Sequence, residues 1–230
     1  GKKYLCNPIK TSLFKRITMY KSISVILTTI TTALIVSCGN NKTVNTQAAD
    51  NADTLRYPDE QHFSNIQQLT FGGDNAEAYW SYDGQYLVFQ RTNPKEGLNC
   101  DQIFIGKVPE KTGEEFIYKM ISTGKGRTTC PFFTKDNQHI IYASTHLGAD
   151  TCPPVPDRSK YGNKYIWPLY ESYDIFMADL EGNIVKQLTN AKGYDAEPTL
   201  SPDGKQMIYT SDKDGDIDLY IMNLETGEEK

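Results

Sequence analysis

The fold of this chain is decided by one stretch, which reads Gln187-Leu188-Thr189, then Ala196-Glu197-Pro198, then Ser201-Pro202-Asp203-Gly204, and finally Asp218-Leu219-Tyr220-Ile221-Met222. A proline and an Asp-Gly turn stand between short runs of apolar and β-branched residues. An Asp-Gly pair between such runs is typical of a tight hairpin, because both residues tolerate positive φ. The stretch therefore predicts short antiparallel strands.

The same pattern occurs twice more, earlier in the 230-residue chain. The first copy contains Gln68-Leu69-Thr70, Ala76-Glu77-Ala78 and Ser81-Tyr82-Asp83-Gly84, and the second, more diverged copy contains Thr134-Lys135-Asp136-Asn137. Asp83, Asp136 and Asp203 thus occupy equivalent turns. Without the obvious insertions the period is about 40 to 45 residues, the length of a four-stranded propeller blade.

Each copy predicts four strands. They are an inner strand before the Asp turn, a second strand after it, a third at the Asp-Leu-Tyr-Ile-Met position and an outer strand at the Gln-Leu-Thr position. Several of these strands, such as 206–210, are continuous apolar runs rather than alternating ones. Such runs suit strands that are buried on both faces, as in blades stacked against one another.

The combination of Gln-Leu-Thr, Glu-Pro, Ser-Pro-Asp-Gly and Asp-Leu-Tyr resembles the WD-like β-propeller repeat of the TolB family, over roughly 66–230. The resemblance implies an all-β fold: about three four-stranded blades of a β-propeller with six or more blades. Because closed propellers have four to eight blades, we expect further blades in the full protein and regard the chain as incomplete. Such repeats also occur in the propellers of prolyl-oligopeptidase relatives.

The amino-terminal region predicts export. Lys15, Arg16 and Lys21 precede an uncharged, apolar and hydroxyl-rich segment, 22–37, which ends at Cys38. This order matches a lipoprotein signal helix, and Ile-Val-Ser-Cys resembles a lipobox whose cysteine is lipidated. A transmembrane anchor or a buried helix is the alternative, but the segment is short for a span of about 20 residues.

These signals predict three parts of the chain: an upstream segment with a signal peptide (1–38), a disordered tether (39–62) and TolB-like blades (63–230). The tether is polar and has no hydrophobic periodicity. We expect an exported chain that is lipid-anchored through Cys38, at the periplasmic side of the outer membrane or at the cell surface.

The composition excludes several classes of function. A net charge of −5 without a basic cluster in the folded part argues against nucleic-acid binding. The sequence contains no Gly-x-Ser-x-Gly elbow, His-Glu-x-x-His motif or phosphate-binding glycine loop, so it predicts no catalytic residue, cofactor or metal in this region.

Three cysteines follow Cys38, namely Cys100, Cys130 and Cys152. The blade topology places all three on one face, and export would expose them to an oxidising compartment. We expect one disulfide and one remaining thiol, with Cys130 in the bond because it lies between the other two. Unpaired thiols, or a Cys/His metal site that includes His146, are the alternatives.

An insertion between the second and third strands of the second copy, 145–172, is rich in proline and aromatic residues. Long ordered loops on a rigid scaffold often carry function, although a lid over neighbouring blades fits as well. The predicted binding face combines this insertion with the starts of the inner strands; its residues are Glu77, Glu197, His146, Arg158, Trp167 and Tyr170. The alternating aspartates of 212–218 are read as a solvated hairpin turn rather than a calcium loop.

The sequence thus favours a lipid-anchored, extracytoplasmic β-propeller that binds a protein or peptide partner in the bacterial envelope and carries no catalysis in this region. The alternative is the amino-terminal, substrate-gating propeller of a larger peptidase or hydrolase. A Gly-x-Ser-x-Gly motif further along the full-length protein would favour the enzyme, and additional blades alone would favour the binding scaffold.

Overall fold

The computed structural model describes residues 55–162 and 164–230. The predicted signal peptide, Cys38 and most of the predicted tether lie outside the described residues. Within the described part, no helix has the length and apolar character needed to cross a membrane.

The described residues form three antiparallel sheets. The first consists of β1 (Asp74–Trp80), β2 (Tyr86–Asn93), β3 (Leu98–Lys107) and β4 (Tyr118–Met120). The second consists of β5 (Thr128–Phe133), β6 (His139–Ser144), β7 (Asp174–Asp179) and β8 (Ile184–Gln187), and the third of β9 (Asp195–Leu200), β10 (Gln206–Ser211) and β11 (Asp218–Asn223). Two short 3₁₀ turns, Pro94–Glu96 and Arg158–Tyr161, are the helical elements of this region. The predicted all-β fold with blade-like sheets is confirmed.

The three aspartate turns share one hydrogen-bond pattern. In the first sheet, the Ser81 hydroxyl donates to Asp83 at 2.6 Å, and the same carboxylate accepts from the Gln85 N–H at 3.0 Å. Thr134 and Asp136 repeat this bond at 2.6 Å in the second sheet, as do Ser201 and Asp203 in the third. These turns are equivalent, as the repeat predicts.

The outer strands differ in detail from the prediction. β8 ends at Gln187, and the rest of its Gln-Leu-Thr triplet hydrogen-bonds the neighbouring β7 through Leu188 and Thr189. The Thr189 hydroxyl accepts the Ile175 N–H at 2.9 Å. In the first sheet the Ser122 hydroxyl accepts the Ile103 N–H at the same distance. Ser122 ends Met120-Ile121-Ser122, which takes the place of the triplet in the first sheet. The hydroxyl at the last position therefore accepts a strand N–H in both sheets.

The core consists of two layers, one on each side of the second sheet. Ile140 and Ile141 are consecutive and both fully buried, but they belong to different layers. Ile140 packs with Val88 of the first sheet, whereas Ile141 packs in the layer that contains Met207 of the third. The second sheet is thus buried on both faces, which explains the continuous apolar runs.

Candidate functional site

The inner strands carry an unusual backbone feature at one repeated position. Glu77, Cys130 and Glu197 have φ values of 49°, 51° and 58°. Each lies at a register shift between the inner strand and the second strand of its sheet. Non-glycine residues with positive φ are uncommon and cost about 1–3 kcal/mol each. A bulge of this kind redirects one side chain, so the three residues form equivalent positions on neighbouring strands.

Cys130 belongs to this set although the sequence analysis did not include it. The signal that would have found it is the proline that follows, since Cys130-Pro131 aligns with Glu197-Pro198. The predicted equivalence of Glu77 and Glu197 agrees with the shared backbone geometry.

Hydrogen bonds hold the two glutamate side chains and the backbone of Cys130. The Tyr79 hydroxyl donates to Glu77 at 2.5 Å, and the Thr210 hydroxyl donates to Glu197 at 3.0 Å. The Cys130 N–H donates to Gln90 Oε1 at 3.3 Å. Burial, together with the charges of Glu77 and Glu197, raises the pKa of the Cys130 thiol to about 11. At neutral pH Cys130 is therefore a neutral thiol between two acidic positions, not a thiolate nucleophile.

The insertion reaches this group through Trp167. The indole N–H donates to the Tyr194 hydroxyl at 3.3 Å. Burial raises the pKa of Tyr194, and the nearby Glu197 charge acts in the same direction despite the opposing bond from Trp167. Trp167 remains 52% exposed. The structure thus brings both Trp167 and Glu197 close to the Tyr194 hydroxyl.

The other predicted face residues have different surroundings. His146 is partly buried against the Phe176 ring at 4.5 Å, and burial lowers its pKa, so it packs as a neutral side chain. The Tyr170 hydroxyl donates to the Pro154 carbonyl at 3.1 Å and stiffens the insertion. Arg158 is exposed in the 3₁₀ turn Arg158–Tyr161. Only Glu77, Glu197 and Trp167 gather around the inner-strand positions.

The disulfide differs from the favoured pairing. Cys100 is bonded to Cys152, 52 positions further along the chain, with Cα atoms 5.9 Å apart, and Cys130 is a free thiol. The prediction that Cys130 takes part in the disulfide was wrong, because the order of the cysteines along the chain does not show which two lie close enough to bond. Cys130 occupies the inner-strand bulge, whereas Cys100 in β3 lies beside the insertion that carries Cys152.

The remaining metal alternatives find no support in the described residues. The bond between Cys100 and Cys152 removes two of the three thiols of the Cys/His alternative. No group of three or more His, Cys, Asp or Glu side chains in the described region is arranged to hold a metal ion. In the 212–218 loop, Asp212 accepts the Tyr194 N–H at 2.6 Å and Gly215 closes the turn between β10 and β11.

Comparison with known proteins identifies similar repeats. A TolB homolog of Chlorobaculum tepidum is 35% identical over 126 residues, which are 53% of this chain and 29% of that protein. The Tol-Pal system protein TolB of Francisella tularensis is 30% identical over 94 residues, 39% of this chain and 21% of that protein. The matched region therefore spans less than a third of either relative. No family model matches the chain.

Among solved structures, a TolB-like protein from Agrobacterium tumefaciens shares the fold. It superposes with a TM-score of 0.51 at 17% identity, over 71% of this chain and 50% of that one. This likeness supports the β-propeller fold of the described sheets.

Proposed function

We propose that this chain, whose repeats are similar to those of TolB proteins, is a lipid-anchored, extracytoplasmic scaffold that binds a protein or peptide partner in the bacterial envelope. The proposed binding face is the inner-strand group of Glu77, Cys130 and Glu197 together with Trp167. The observation that carries the proposal is the meeting of this group with the insertion at Tyr194.

The chemistry of the face suits a peptide. The half-exposed indole of Trp167 offers a large apolar surface. Aromatic side chains are enriched among the interface residues that contribute most to binding energy. Glu77 and Glu197 place carboxylates at equivalent positions on nearby strands, so the face favours a partner with a basic group beside an apolar one. The three bulges and the disulfide fix these residues before a partner arrives, which lowers the ordering cost of binding.

The envelope location rests on two kinds of support. One relative carries a Tol-Pal system name, and the amino-terminal pattern of basic residues, apolar segment and Cys38 is that of an exported lipoprotein. Mass spectrometry of the mature protein should find its amino terminus at Cys38 with a diacylglycerol thioether. A mature terminus elsewhere, or an unmodified Cys38, would exclude the anchor but not the binding face.

The two tryptophans of the chain provide a matched test of the binding face. Trp80 and Trp167 are 55% and 52% exposed. Trp80 ends β1 beside the Asp83 turn, whereas Trp167 lies in the loop between β6 and β7, so antiparallel order places them at opposite ends of the blades. A photo-crosslinking amino acid is introduced at either position in the full-length protein, expressed in its own host.

We expect a discrete protein adduct from position 167 and none from position 80. The adduct at 167 should weaken several-fold in the double variant Glu77→Gln and Glu197→Gln. Equal adducts at both positions, or none at 167 in a variant with native circular dichroism, would contradict the proposed face. A Gly-x-Ser-x-Gly motif in the full-length sequence would instead favour the hydrolase alternative.

A further inference from the structure

A second acidic group lies where the second and third sheets meet. Asp174 begins β7, and Asp195 begins β9. The Asp195 N–H donates to the carbonyl of Tyr173 at 3.0 Å, which joins the two strands directly beside the carboxylates. The two carboxylates are close enough for their charges to repel each other.

Each carboxylate has one oxygen without a partner. Asp195 is only 1% exposed, and its Oδ2 has no hydrogen-bond donor, while Oδ1 accepts from the Ser211 hydroxyl at 2.5 Å. Asp174 Oδ1 is buried without a donor, while Oδ2 accepts from the Gln187 amide at 3.3 Å. The donors present are neutral. A buried carboxylate without a compensating charge is strongly destabilising.

The nearby cations among the described residues are already engaged. Lys213, which attracts the Asp195 charge, is paired with Glu229 at 2.5 Å and also donates to the Tyr209 hydroxyl at 3.0 Å. Arg127 forms an ion pair with Asp101 on the other side of the second sheet. The two carboxylates therefore keep a local excess of negative charge.

The junction of the first and second sheets holds uncharged side chains at the two positions equivalent to Asp174 and Asp195. By strand register, Gln102 is equivalent to Asp174, and Thr128 is equivalent to Asp195. The Gln102 amide donates to the Gly126 carbonyl at 2.9 Å and accepts from the Ser122 hydroxyl at 2.7 Å. The junction of the second and third sheets thus has two charged carboxylates, each with an unpaired oxygen, where the first junction has two neutral side chains with hydrogen-bond partners.

We propose that the junction of the second and third sheets binds one hard divalent cation of the calcium class, between Asp174 Oδ1 and Asp195 Oδ2. Two carboxylates balance the charge of a dication, and oxygen ligands are those that calcium prefers. The Thr189 hydroxyl lies beside Asp195 and offers a further oxygen.

The test uses the full chain at pH 7.5, stripped with a chelator and then titrated with calcium chloride. At calcium concentrations about 100-fold above Kd, the melting temperature should rise by about 5–10 °C. Terbium, a calcium substitute, should give luminescence when tyrosine is excited, because Tyr173 and Tyr194 lie beside the carboxylates. One terbium per chain should bind, and calcium should displace it.

Two variants decide the assignment. Asp174→Asn with Asp195→Asn should abolish both the calcium shift and the terbium signal. Asp218→Asn is the matched control, since Asp218 holds the equivalent register position in the third sheet and is exposed; it should leave both responses unchanged. Loss of the signal in this control would place the ion in the 212–218 turn and overturn the proposal.

A stripped protein with no calcium shift would also overturn it. In that case the double variant should be more stable than the parent at pH 7.5, which would show that the two carboxylates share a proton instead of a cation.

Discussion

The junctions on either side of the second sheet are built on the same backbone but hold different chemistry. Between the first and second sheets, Gln102 forms a satisfied amide network, Asp101 pairs with Arg127, and the Cys100–Cys152 disulfide holds the insertion. Between the second and third sheets, Tyr173, Tyr194 and Tyr209 pack in the core layer, and two carboxylates, Asp174 and Asp195, each keep one oxygen without a hydrogen-bond partner. A repeat thus conserves strand register while the polar positions diverge. The junction without a covalent link is also the one with uncompensated charge.

Removing the disulfide should have the largest effect on this comparison. A bond that closes a loop of 52 residues stabilises the fold by about 4 kcal/mol in the chain-entropy model. Cys100→Ser with Cys152→Ser should lower the free energy of urea unfolding by this order. Cys130→Ser is the matched control, because that thiol is unpaired, and it should cost under about 1 kcal/mol. Equal losses in both variants would show that the bond adds nothing beyond the packing of its sulfur atoms.

Gln102→Glu should place a buried carboxylate at the first junction, at the position where the second junction has Asp174. The new carboxylate oxygen faces the Gly126 carbonyl, which now receives the amide N–H at 2.9 Å. An unpaired buried group costs about 1–3 kcal/mol, and more if charged. We expect this loss at pH 7.5 and partial recovery at pH 5, where the acid protonates and donates a hydrogen bond. Urea unfolding at both pH values measures it. A variant as stable as the parent at pH 7.5 would contradict the account of the amide network.

Asp174 gives the second junction its own pH dependence. Burial and then the Asp195 charge raise the pKa of Asp174 from its ordinary value of 3.8 to about 6. Between these values the native state binds more protons than the unfolded state, so the free energy of unfolding falls as pH rises through this window and stays lower above it. Asp174→Asn should flatten the urea midpoint between pH 4 and 7 when measured in chelator. An unchanged slope would show that Asp174 does not titrate in this way.

Asn137→Gly should have the smallest effect. Asn137 has a φ of 57°, a conformation that glycine adopts without strain. Its side chain, however, accepts the Tyr82 N–H at 2.7 Å and so links the first two sheets. These opposing terms are each about 1 kcal/mol, so the variant should remain within about 1 kcal/mol of the parent in urea unfolding. A loss above about 2 kcal/mol would show that the hydrogen bond between Tyr82 and Asn137 outweighs the strain that glycine relieves.

Much of the fold is predictable from local chemistry. Asp83, Asp136 and Asp203 identify the turns because a carboxylate that accepts a backbone N–H two residues on is a local arrangement. The face of the insertion follows from the alternation of antiparallel strands, so the sequence alone predicts that Trp167 lies on the same face as Glu197.

The remaining features depend on contacts between distant residues. The partner of Cys100 is 52 residues away and is set by how the insertion folds back, which spacing does not reveal. Asp174 reads as an ordinary polar start of a strand, and only its neighbour Asp195 across the junction shows that two carboxylates meet. Cys130 differs in chemistry from Glu77 and Glu197, so the proline that follows it was the one sequence signal of the backbone conformation that the three residues share.

The covalent loop between Cys100 and Cys152 also has a mechanical consequence. Force applied to the chain at two points outside the loop passes through the sulfur bond, so the segment between the cysteines carries no load. A loop of 52 residues holds about 170–190 Å of extendable chain. That length includes most of β3 and all of β4, β5 and β6, hence the Cys130 bulge. Under tension β1, β2 and the third sheet would extend to their full length, whereas the chain between the two cysteines would stay unstretched until the disulfide is reduced.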